Sequence, residues 1–164
     1  MDQLDQYLKG AKKSIFRYEG LQDYSAEDGE ESVREYVATG KLPFKPEETE
    51  WWQDIKDKNE NGVKTCRVRF VEEPLTEYTK MELACHRKSA AYSGEDIRII
   101  TSELSAGSEK NLKDFYLIDD SFLFLMDYGP KGKYIGSILV KDERVKKFIE
   151  YKNELISQST SLDI

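Results

Sequence analysis

Arg67 and Arg69 stand two residues apart in the run VKTCRVRFV. Strand side chains alternate between faces, so these guanidiniums share one face with Thr65, while Cys66, Val68 and Phe70 share the other. The chain then carries Glu73, Pro74, Tyr78 and Glu82, with Tyr78 and Glu82 one helical turn apart, and Asp119 at a turn further on. A guanidinium is a planar fork that matches carboxylate and phosphate geometry. Arg67 and Arg69 facing Glu73, Tyr78, Glu82 and Asp119 therefore predict one of two things: an internal ion-pair network, with Glu82 the preferred partner, or a pocket for an anionic group. A small hydrolase could use the same carboxylates and arginines, provided that one carboxyl sits where its pKa rises. No catalytic residue is singled out by spacing.

Trp51-Trp52, preceded by Phe44, is the candidate partner surface. Adjacent residues on a helix point in different directions, so one indole is expected to be partly exposed, and exposed Trp is enriched at binding hot spots. Other chemistries are excluded by count or context. Cys66 and Cys85 are too few and too isolated for a zinc knuckle or a redox pair, and are read as reduced, mostly buried thiols. His86 is the only histidine, which rules out a multi-histidine metal site. Asp119 and Asp120 lack the spacing of a calcium loop. There is no Gly-x-Ser-x-Gly elbow, Cys85 and His86 are mere sequence neighbours, and GPKGK lacks the strand-to-helix context of a phosphate loop. No metal and no cofactor are expected.

The elements that must position these residues are legible from periodicity. Leu4, Tyr7, Leu8 and Ala11 predict a short helix, and Ile15, Phe16 and Tyr18 a strand ended by Gly20. Ser25 and Asp28 imitate a capping box for a helix through Val33, Tyr36 and Val37 to Gly40. Residues 41–49 hold Pro43 and Pro46 and read as an extended connection and a minor break. A helix from Trp51 to Asn61 leads into the arginine strand, and Pro74 is expected in the first turn of a helix reaching Tyr92, ended by Gly94. Ile97, Ile99 and Ile100 are β-rich, and residues 102–110 read as an exposed loop. Phe115 to Ile118, Phe122 to Tyr128 and Tyr134 to Val140 read as strands, the last two joined as a hairpin. Asp142 opens a last amphipathic helix through Ile156. These elements predict an α+β fold: a mainly antiparallel sheet of about five strands covered by helices, with a C-terminal helix. Residues 1–156 form one domain in this reading, and 157–164 a disordered tail.

Arg67-Val-Arg69, Glu73-Pro74-Leu-Thr-Glu-Tyr78, the helical Glu82, Gly94-Glu95-Asp-Ile97-Arg98 and Asp114-Phe115-Tyr-Leu-Ile-Asp119 follow one another in an order that resembles an uncharacterised bacterial domain family. That family is mainly actinobacterial and often encoded beside helix-turn-helix regulators. The resemblance covers roughly residues 14–156. This chain departs from it in being rich in Lys and Ile and in the region around His86. The resemblance implies a fold and an association with regulatory gene clusters, but no activity.

Charge narrows the partners. The 164 residues hold 25 Lys and Arg against 32 Asp and Glu, a net −7, and only seven of the basic residues are Arg. Proteins that grip phosphate backbones by counterion release usually carry the opposite sign. No direct nucleic-acid binding is expected. No stretch approaches a membrane span, and the first residues lack a signal peptide's apolar segment, so neither membrane binding nor secretion is expected. The chain reads as a cytoplasmic accessory or interaction domain with a regulatory role, a protein partner, and an anion pocket around Arg67 and Arg69, the alternative being the small hydrolase.

Overall fold

Period-two alternation gives each strand two faces, and both need cover. The computed structural model, which describes residues 2–101 and 112–162, shows what covers them. The chain runs α1 (Gln3–Lys9), β1 (Ser14–Glu19), α2 (Ser25–Asp28), α3 (Glu30–Thr39), α4 (Glu50–Glu60), β2 (Lys64–Val71), α5 (Glu77–Ser93), β3 (Asp96–Thr101), β4 (Phe115–Ile118), β5 (Phe122–Tyr128), β6 (Tyr134–Val140), α6 (Arg144–Gln158) and β7 (Thr160–Ser161). Single 3-10 turns lie at Pro46–Glu48 and Pro130–Gly132.

The fold is mixed α+β, with one sheet in the order β6-β5-β4-β1-β2-β3-β7. Among the described residues it has seven strands, not about five. Four of its six pairings are antiparallel, and the parallel ones, β1 with β2 and β2 with β3, lie at its centre. Parallel neighbours need a crossover, which α2 to α4 supply between β1 and β2, and α5 between β2 and β3.

One face carries Phe16, Tyr18, Val68, Phe70, Phe115 and Leu117, packed beneath Val145 and Leu155 of α6. The opposite face is covered in two blocks. Leu4 and Leu8 of α1 pack on Ile15, Tyr116, Ile118 and Phe124, while Trp52 and Ile55 of α4 join Leu83 and Ala90 of α5 over Ile97. The arginine face of β2 falls between these blocks.

Several sequence expectations are corrected. The tail from 157 is not disordered as far as Leu162: α6 continues to Gln158, β7 pairs with the free edge of β3, and Leu162 is buried. A two-residue strand of Thr and Ser has no periodicity to reveal it. The helix expected from Ser25 to Gly40 is broken at Gly29, whose φ of 91° no right-handed helix accommodates. Pro74 lies outside α5, which starts at Glu77 and is capped by the Thr76 hydroxyl, whose oxygen accepts the Thr79 amide. The loop expected at 102–110 lies outside the described residues.

Candidate functional site

The parallel register sets Arg17 of β1 beside Arg67 of β2, and Glu19 beside Arg69; Tyr116 of β4 flanks Arg17 on the other side. Three arginines brought under a layer of helices lose their hydration, and a buried charge is tolerated only when paired and hydrogen-bonded. Acids arrive from four directions. Arg67 Nη1 donates to Glu19 Oε1 at 2.8 Å and its Nε to Glu95 Oε1 at 3.3 Å. Arg69 Nε donates to Glu82 Oε1 of α5 at 2.5 Å, and its Nη1 to the Phe70 carbonyl at 2.7 Å. Arg17 Nη2 donates to Asp114 Oδ2 at 3.3 Å and to the Tyr128 hydroxyl at 2.6 Å.

Aromatic groups complete the layer. The Tyr78 hydroxyl donates to Glu82 Oε2 at 3.1 Å, and the Tyr24 hydroxyl to Asp114 Oδ2 at 2.5 Å. Arg17 stacks over Tyr116 at 4.8 Å, Arg69 over Tyr24 at 5.3 Å and Arg67 over Trp52 at 5.6 Å. Gly94, at φ 79°, ends α5 and turns the chain straight into β3, which puts Glu95 against Arg67.

Burial and charge compete across this cluster. Burial alone pushes the Glu19 carboxyl up, but Arg67 and Arg17 outweigh it and hold Glu19 below the usual carboxylate range. For Glu95 and Asp114 burial prevails over the attraction of Arg67 and Arg17, and both carboxyls are raised. Burial lowers the His86 imidazole against the opposing pull of Glu82 and Glu19. Neither His86 nitrogen has a hydrogen-bond partner among the described residues, and Nε2 lies 3.7 Å from Glu19 Oε1.

Arg67, Arg69, Tyr78 and Glu82 are thus brought together, with both arginines on one face and Glu82 paired with Arg69. Arg69 is fully buried, with Nε on Glu82 and Nη1 on the Phe70 carbonyl, and this burial keeps it from an external anion. Glu73 and Asp119 do not join them. Glu73 is exposed on the loop after β2. Asp119, at the far end of β1, accepts the amides of Lys12, Lys13 and Ser14 at 3.0, 2.7 and 3.1 Å, a clamp on the strand's start.

Two cavities open over the cluster. One, of about 450 Å³, lies against Phe44, Trp52 and His86. The other, of about 510 Å³, lies against Tyr24, Tyr116 and Tyr134. They share Glu19, Glu27, Trp51, Arg67 and Glu82. Phe44, Trp51 and Trp52 line the first of these cavities. Trp52 is buried, whereas Trp51 is half-buried.

The sequence reading overlooked Arg17 and Glu19, because IFRYE registers as a β-favouring run. The signal was two charged residues at i and i+2, which alternation places on one face. Among the described residues no group of three or more His, Cys, Asp or Glu side chains is placed to hold a metal ion, and no helix is long and apolar enough to cross a membrane.

The fold is similar to that of NucT from Helicobacter pylori, with a TM-score of 0.53 over 96% of this chain and 87% of that one. The sequence identity is 12%, so the likeness is one of fold. No curated protein matches the sequence. Residues 2–163 match a domain of unknown function, DUF6879, a span that takes in every strand, the buried arginine layer and the cleft above it. The chain therefore belongs to the DUF6879 family.

Proposed function

We propose that the chain is a binding module, an accessory domain that recognises a partner through the cleft walled by Phe44 and Trp51 and braced by Trp52. One observation carries this reading: every guanidinium and carboxylate of the charged floor has at least one internal partner while the cleft over it stays open. Glu19 is bound by Arg67, and Glu82 by Arg69 and Tyr78. Both Asp114 oxygens are taken, one by the Gly20 amide and the other by Tyr24 and Arg17. Acid–base catalysis needs a carboxyl that exchanges its proton with substrate, and Glu82 and Asp114 have both oxygens engaged within the layer.

The resemblance to a bacterial family encoded beside helix-turn-helix regulators supports a regulatory role in the cytoplasm, exerted through protein contacts and without direct binding to nucleic acid. A second reading, the small hydrolase, draws on the raised carboxyls of Glu95 and Asp114.

A thermal-shift screen of metabolites and short peptides separates the two, because anything that binds the folded state raises its stability by mass action. Ligands are expected to stabilise the wild type, to lose that effect against Trp51→Ala, and to be recovered chemically unchanged by mass spectrometry. Recovery of a cleaved product would reverse the choice in favour of the hydrolase.

A further inference from the structure

The sign of the cleft is opposite to what two arginines on a strand suggest. Around the larger cavity Asp2, Asp5, Glu19, Glu27 and Glu82 stand against only Arg17 and Arg67, a formal excess of three negative charges. Both guanidiniums already face internal acids. An incoming anion would have to displace Glu19 from Arg67 while meeting uncompensated carboxylates, and burying like charges together is costly.

Acceptors, by contrast, remain. Among the described residues Glu19 Oε2 accepts no hydrogen bond, and it lies 4.0 Å from Arg17 Nη2. Glu27 is exposed at the neck shared by the two cavities, and one of its oxygens takes the Tyr134 amide at 2.7 Å. His86 lines the smaller cavity, more than nine-tenths buried, with neither ring nitrogen partnered among the described residues. A neutral imidazole always presents one acceptor nitrogen. Trp51 adds a large ring at the same neck. Carboxylates, a free imidazole acceptor and an indole face together make a receptor for a positively charged donor.

We propose that the smaller cavity, where Glu19, Glu27, Trp51 and His86 line one space beside the already paired Arg67, binds a cationic group, a guanidinium or a primary ammonium. This rests on the binding-module reading and gives its ligand class. The group could be carried by a free amine or by a basic side chain of a protein partner.

The test is a titration of the intact chain followed by NMR at the Trp51 indole N–H. The probes are putrescine, N-acetyl-arginine amide, N-acetyl-lysine amide and, as the opposite charge, inorganic phosphate. At least one cation is expected to shift the signal saturably. Glu27→Gln, a substitution at an exposed position that leaves the core intact, should weaken it roughly tenfold, the effect of removing one charge-assisted contact. Preference for putrescine identifies a primary ammonium as the group bound, and preference for the arginine amide a guanidinium; N-acetyl-lysine amide matching putrescine then points to a protein side chain, and failing to match it to a free diamine. Response to phosphate and to no cation would overturn the cationic assignment while leaving the binding module standing. No response to any probe would also overturn it, and the thermal-shift screen against Trp51→Ala then decides the module separately.

Discussion

Replacing Glu82 with alanine strands the Arg69 guanidinium, which has no exposure and no other carboxylate within ion-pair distance among the described residues. Breaking one partner of a buried pair costs about 3–5 kcal/mol, so Glu82→Ala should lower the urea midpoint sharply, and Glu82→Gln less, since it keeps an acceptor for Arg69. A substitution that left the midpoint unchanged would mean the layer is not what holds α5 to β2. His86 carries a pH dependence of definite sign. Its folded pKa lies below the ordinary 6.5, burial being the main cause, with Glu82, Glu19, Arg67 and Arg69 facing it. The unfolded chain therefore takes up the proton first, so its contribution is complete above about pH 6.5 and is lost as the pH falls towards the folded value. Glu95 and Asp114, whose pKa values are raised, act in the opposite sense, but equally in both proteins. The wild type should thus lose stability relative to His86→Phe between pH 7.5 and 5.5, measured as the difference of their urea midpoints.

At the scale of elements, β1 is the hinge of the design. It pairs parallel with β2 and antiparallel with β4, and its start is fixed by Asp119 across the sheet. Burial works against the Asp119 charge, but the amides of Lys13, Ser14 and Lys12 prevail and lower its pKa. Asp119→Ala should cost about 1–2 kcal/mol, the range for losing a side chain that caps free amides. Asp119→Asn should cost less, because asparagine keeps an acceptor and tolerates the left-handed backbone at φ 56°. Because the clamp lies at the opposite end of β1 from Glu19, neither variant should alter ligand response at the Trp51 indole. A changed response would show that register at the start of β1 is transmitted to the cleft.

At the scale of the molecule, a net −7 and an acid-rich cleft act together. Electrostatic attraction to phosphate backbones is strongest at low salt, so a mobility-shift titration there is the most demanding test. No shift of duplex DNA is expected up to micromolar protein. Micromolar binding that weakened steeply with added salt would reveal a basic face that the charge balance conceals.

The sequence by itself determined the α+β class, most element positions, and the sharing of one face by Arg67 and Arg69. All of these follow from periodicity within a few residues, where local sterics dictate which way a side chain points. It also offered Glu82, from the helix after Pro74, as the preferred partner of the two arginines, of which Arg69 takes it. Only the tertiary structure decided that Arg17 and Glu19 complete the layer, since strand register pairs residues about 50 positions apart. The same long-range packing moved Asp119 to the other end of the sheet, left Glu73 exposed and turned Phe44, Trp51 and Trp52 into a wall of the cleft. It likewise ordered the segment after Gln158, through pairing with β3 that two polar residues do not announce. The sign of the cleft was hidden for the same reason. A pair of arginines reads as a cationic site until burial calls in carboxylates from β1, α5, the approach to β3 and the approach to β4, because charge removed from water must be answered by whatever the fold brings within reach.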